Sequence, residues 1–146
     1  MLPPFDSFGN LPPGIHHAGW QEIVDRFGAT AKRRQLLQGL KLALESLRVA
    51  GCAIVFLNGS FVTAKAEPGD FDACWEIEGV DVDRLDSVLL QFDNRRVAQK
   101  AKYGGELFPS LAKADPFGTR FLEFFQRDRL TGNAKGILAI DLREFS

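Results

Sequence analysis

Cysteine is scarce in this chain, with only Cys52 and Cys74 present, too few for a disulfide framework. Both lie in apolar runs, where a free thiol behaves as a small hydrophobe, so buried reduced thiols are expected rather than a bridge. Histidine is equally rare. His16 and His17 are adjacent and point in different directions on most backbones, so they suit capping or packing better than a shared metal. Charge of one sign is missing too: 18 basic against 19 acidic residues leave a net charge of -1. That excludes a global pull toward nucleic acid or membrane and leaves such contacts to local clusters. No apolar run approaches the roughly 20 residues needed to span a bilayer. The start, Met-Leu-Pro-Pro-Phe-Asp, lacks the basic and apolar regions of a signal peptide. A cytoplasmic protein with no membrane partner is the expectation.

Phenylalanine is abundant, at 13 residues against one tyrosine. This implies an aromatic-rich core with few buried hydroxyls to satisfy. The 146 residues fit one domain, 1–146, long enough to bury a sizeable core. Four of the seven prolines fall in residues 1–18, which read as an extended N-terminal arm. Trp20, Ile23, Val24 and Phe27 recur at the spacing of one helix face, and Gly28 can end that helix. A second helix is predicted from about Thr30 to Ala50, lined by Leu36, Leu37, Leu40, Ala43, Leu44 and Leu47. Its opening run, Lys32-Arg33-Arg34, opposes the helix dipole and reads as a solvated face.

Ala53–Leu57 and Phe71–Ile77 read as strands. A helix is predicted to start near Asp81–Asp83, with Leu85, Val88, Leu89 and Phe92 inward. Another runs from Asp93-Asn94 through Lys102, closed by Tyr103-Gly-Gly105, before a short strand over Glu106–Pro109. Arg95, Arg96, Lys100 and Lys102 make that helix basic, either as a solvated face or as a place for a triphosphate or an RNA backbone. Phe121–Gln126 and Gly136–Leu142 flank a polar turn with Thr131-Gly132-Asn133 and read as a hairpin. The whole predicts an α+β fold: a mixed β-sheet with helices packed against it and a C-terminal β-hairpin.

The richest stretch is the apolar strand ending in Asn58-Gly59-Ser60, a nine-residue spacer (61–69), and Asp70-Phe71-Asp72. Gly-Ser after a strand lets the chain turn sharply, and a helix starting there would aim amides at an anion. On a strand, Asp70 and Asp72 project from one face while Phe71 enters the core. Two acids side by side suit a divalent cation.

Strand, Gly-Ser, spacer and acid-hydrophobic-acid together resemble the nucleotidyltransferase superfamily related to DNA polymerase beta, and most closely its minimal bacterial members. Leu11-Pro-Pro-Gly-Ile-His16 and Gly104-Gly-Glu-Leu-Phe-Pro109 also look like a family of small uncharacterised bacterial proteins. The first resemblance implies that Gly59 and Ser60 hold nucleotide phosphates, with Lys65 serving the triphosphate. It implies that Asp70 and Asp72 hold Mg²⁺ or Mn²⁺. A third carboxylate is then needed, and both Asp141 and Glu123 qualify if they face each other across the hairpin; Asp141, between apolar residues, fits the family pattern better. The implied reaction moves a nucleoside monophosphate from an NTP to a hydroxyl of RNA, protein or a small molecule, in some relatives within a toxin–antitoxin or defence module with a cognate partner. The alternative is a catalytically inactive binding or antitoxin-like module of the same fold.

Overall fold

A computed structural model describes residues 1–128 and 130–145. Five strands form one mixed sheet: β1 (Gly14–His17), β2 (Ile54–Asn58), β3 (Phe71–Trp75), β4 (Gly105–Pro109) and β5 (Gly136–Asp141), in the order β1-β5-β2-β3-β4. β2 runs antiparallel to both neighbours, β3 and β5, whereas β1–β5 and β3–β4 are parallel. The helices are α1 (Trp20–Phe27), α2 (Ala31–Val49), α3 (Asp93–Tyr103) and the single turn α4 (Phe121–Phe124). The α+β class expected from the sequence is therefore what the chain adopts.

The period-2 alternation of the strands divides the core in two. Val55, Leu57, Phe71, Ala73, Trp75, Leu107, Leu138 and Ile140 face the helices and pack with Ile23, Phe27 and the leucine face of α2. Phe56, Cys74, Ile137 and Ala139 face the other way, onto Phe125 and the partly buried Phe108, Phe121, Leu122 and Phe124. Both cysteines are buried free thiols, with burial pushing Cys52 up to about 11 and Cys74 up to about 12.

Thr30 caps α2, its Oγ1 accepting from the Arg33 amide at 3.1 Å. α3 ends on Gly104 in the left-handed region at φ 83°. One residue past Glu106, the Leu107 amide donates to Gln99 Oε1 on α3 at 2.8 Å. This buried bond fixes α3 against edge strand β4 and so sets what α3 presents to Glu106.

Three expectations are corrected. The Pro-rich arm is not merely extended: Gly14–His17 adds a strand beside β5, and His16 Nε2 donates to the Pro12 carbonyl at 2.7 Å. The helix expected after Asp81 is instead two 3-10 turns, Val82–Arg84 and Ser87–Leu90. Asp81 and Asp86 each accept from the amide two residues on, a local bond that competes with helix propagation. Among the described residues the C-terminal β-hairpin does not form as such. Phe121–Phe124 coils into one helical turn, Arg127 and Ala134 make an isolated bridge, and β5 finds its partners in β1 and β2.

Asp86 ties three elements together. It accepts from Tyr103 Oη and from Lys102 Nζ (2.5 Å), while its own amide donates to Ser46 Oγ at 3.3 Å. Burial pushes its carboxyl up, but the bonds from Lys102 and Tyr103 outweigh that and hold it below the usual range. A depressed carboxylate contributes stability above its unfolded pKa, and that contribution disappears as pH falls through the folded value. Urea melts between about pH 5 and pH 2 should therefore show wild type losing more stability than Asp86→Asn.

Candidate functional site

β2 ends at Asn58, and Gly59 follows at φ 81°, where L side chains are rarely found. A Cβ at this position would fall on Asp72 Oδ2. Glycine is thus needed twice, for the dihedral and for the carboxylate laid against the backbone. After it comes a short 3-10 turn, Ser60–Val62. The Val62 amide donates to the Gly59 carbonyl, while the Thr63 amide and hydroxyl both donate to that of Ser60.

The loop beyond is held by Arg33, which the sequence suggested was solvated. It is 4% exposed. Its guanidinium donates to the carbonyls of Phe27 (3.3 Å), Phe61 (2.6 Å), Thr63 (2.8 Å) and Lys65 (2.5 and 3.1 Å). No carboxylate is bonded to it among the described residues, and burial lowers its pKa. The N-terminal turn of α2 faces this loop, so position 33 is read by carbonyls rather than by water.

The strand registers decide which acids meet. Asp72 pairs with Asn58 on β2 and with Glu106 on β4, and paired residues share a face. Asn58, Asp72 and Glu106 therefore stand in a row on the face away from the main helices. With Gly59, Arg96, Phe108, Phe121, Phe124, Phe125, Arg127 and Lys135 they line a cleft of ≈ 300 Å³. Asn58 is 8% exposed, and its Oδ1 has no hydrogen-bond partner. Glu106 is occupied: Arg96 reaches Oε2 with two nitrogens at 3.1 Å, and Lys100 reaches Oε1 at 3.1 Å.

Asp70 precedes β3 and lines a second cleft of ≈ 430 Å³ with Lys32, Lys100, Lys102 and Tyr103. Burial, then the charge of Glu106, pushes its carboxyl up; Lys100, Lys32 and Lys65 partly counter this. The Lys100–Glu106 pair forms the wall between the two clefts. Asp70 and Asp72 thus share a strand end but open on opposite sides of that wall. Among the described residues no group of three His, Cys, Asp or Glu side chains converges as a ready metal cage. Lys65 is exposed and touches the site through its charge on Asp70 and its backbone carbonyl on Arg33.

The expected third acids do not reach. Asp141 pairs with Ile54, at the opposite end of β2 from Asn58. Four residues along a strand put it about 13 Å away in that direction alone, and it is held instead by Arg143 at 2.8 Å. Glu123 lies exposed on α4, because the hairpin that would have set it opposite Asp141 does not form. The acid that stands beside Asp72 is instead Glu106. Its signal was in the sequence only as a strand, helix, strand order, which favours a parallel crossover and brings the two strand starts together.

Among the described residues no helix is long and apolar enough to cross a membrane. No curated protein and no solved structure matches the chain. A family model does match residues 3–141, nearly the whole length. The chain belongs to the Family of unknown function (DUF6932).

Proposed function

We propose that the protein is a Mg²⁺- or Mn²⁺-dependent nucleotidyltransferase whose metal-binding acids are Asp72 and Glu106; Asp70, which opens into the neighbouring cleft, is not one of them. The observation that carries this reading is the row Asn58–Asp72–Glu106 beside the left-handed Gly59. The donor set suits a hard cation: two carboxylates and an amide oxygen, all oxygen, with Asn58 Oδ1 lacking any other partner. When bound, the cation supplies neutralisation of phosphate charge and activation of a hydroxyl.

The chain's own residues do the rest. The Gly59 backbone, free of a Cβ, seats the Asp72 carboxylate beside the Gly59-Ser60 turn. Arg127 and Lys135 give the same cleft positive charge for phosphates. Phe108 and Phe121 stack at 4.1 Å between ring centroids and offer a planar apolar wall to a base. In the reaction an acceptor hydroxyl oxygen bonds to the α-phosphorus, the α–β bridge breaks, pyrophosphate leaves and the hydroxyl proton passes to water. A reducing cytoplasm agrees with two buried unpaired thiols.

Incubation with each NTP labelled at the α- or γ-phosphate, Mg²⁺ and cell extract tests the reading. Label should pass to an acceptor from the α-position alone, and Asp72→Ala should abolish it. The labelled species also identifies the acceptor as RNA, protein or small molecule, and with it any toxin–antitoxin or defence role. Equal labelling by wild type and variant removes the reading. A second reading, a nucleotide-binding module without transfer, is favoured by the ion pairs that already occupy Glu106. It predicts saturable NTP binding with no label transferred.

A further inference from the structure

Glu106 can serve a cation only if one of its oxygens comes free, and the residue covering Oε2 is held in an unusual way. Asn94, Arg95 and Arg96 have φ of 50°, 57° and 58° with ψ of 49°, 39° and 36°, a left-handed turn built without glycine at the start of α3. Such residues visit this region singly as a rule, because Cβ crowds the following carbonyl. Three in succession persist only where other contacts hold them. Asn94 and Arg95 are exposed. Arg96 makes the bonds that compensate: two nitrogens at 3.1 Å from Glu106 Oε2, and a guanidinium 5.5 Å from the centre of the Phe108 ring.

We propose that Arg96 is a displaceable latch on the cation site, occupying Glu106 in the ligand-free protein until a divalent cation bound by Asp72, Glu106 and Asn58 takes its place. This rests on the reading of the cleft as a divalent-cation site. Asp72 and Glu106 are adjacent and repel each other unless a positive charge stands with them. Arg96 supplies that charge from within the same cleft, whereas Lys100 supplies it to Oε1 from the neighbouring one. An entering cation finds Asn58 Oδ1 without a partner, removes the need for Arg96, and competes for Oε2 directly. Released from Glu106, the turn loses the contact that offsets its strain and can rewind as right-handed helix, so the backbone assists the exchange. In the cation-free protein Arg96 then stays on Glu106, and its release is coupled to cation binding.

The test is Mn²⁺ binding to the full chain, followed by the loss of free-ion paramagnetic resonance signal, with thermal melts alongside. Arg96→Gln should bind Mn²⁺ about tenfold more tightly than wild type, a usual size for a coupling between two competing states. Arg95→Gly acts oppositely. Glycine accepts the left-handed conformation without a Cβ penalty, so the latched form gains: the cation-free melting temperature rises and Mn²⁺ affinity falls. Equal affinities for wild type, Arg96→Gln and Arg95→Gly, all lost in Asp72→Asn, would leave the cation site standing and overturn the latch. Tighter Mn²⁺ binding by Arg95→Gly would overturn it as well. No saturable binding by wild type or by Arg96→Gln would overturn both the latch and the cation site beneath it.

Discussion

Replacing Arg33 by methionine will cost about 3 kcal/mol or more of folding stability, since hydrogen bonds from a charged donor contribute about 1.5–3 kcal/mol each. Methionine keeps much of the volume but leaves the carbonyls of Phe27, Phe61, Thr63 and Lys65 without their donor. Some will recover water at the loop surface; those of Phe27 and Phe61, bonded in the buried interior, will not. Lysine should rescue poorly, because a compact ammonium cannot reproduce the fork that serves four carbonyls at once. The same substitution frees the loop after Gly59-Ser60. NTP affinity should therefore fall in Arg33→Lys even where the protein remains folded. Urea denaturation and nucleotide titration on the same samples separate the two effects. A stability change under about 1 kcal/mol, the range of an exposed charge, would mean that Arg33 does not clamp this loop.

Glu106→Gln and Asp141→Asn will part company. Glutamine keeps the shape at 106 but removes the charge that a cation needs, so nucleotidyl transfer should drop about 100-fold or more, as expected where several kcal/mol of charge stabilisation is lost. Asp141→Asn should leave transfer within about twofold, an exposed surface effect. It lies on β5 opposite Ile54, at the end of β2 away from Asn58, and its partner is Arg143. The reverse pattern, loss at 141 and none at 106, would restore the assignment made from sequence and require a different register between β5 and β2.

The contrast between those two acids shows where the sequence was legible. α1, α2 and the strands β2, β3 and β4 declared themselves through local period, and Gly59-Ser60 with Asp70-Phe71-Asp72 through local spacing. Each depends on residues close in the chain. Apolar neighbours flank Asp141, a pattern that reports a buried strand but not which end of the sheet the residue reaches. Glu106 depends on a parallel register between strands 30 residues apart in the chain, which no local pattern encodes. The Phe121–Phe125 run failed for another reason. Without a period of 2 or 3.6, four apolar residues around Glu123 fit a strand or one helical turn equally well, and packing onto Phe108 and Phe56 selected the turn. A basic run such as Lys32-Arg33-Arg34 looks solvated in sequence, because nothing local shows the loop whose carbonyls bury Arg33.

The proposed cation site comprises Asn58, Asp72 and Glu106 beside Gly59. It is tested most directly by amide NMR during a titration with Mn²⁺, whose unpaired electrons broaden nearby signals. The amides of Asn58, Gly59, Asp72 and Glu106 should broaden first and together, with Ile140, Asp141 and Leu142 sharp at the same Mn²⁺ level. Broadening that begins at Asp141, or that spreads over surface carboxylates with no preference for this cleft, would mean that Asn58, Asp72 and Glu106 hold no cation.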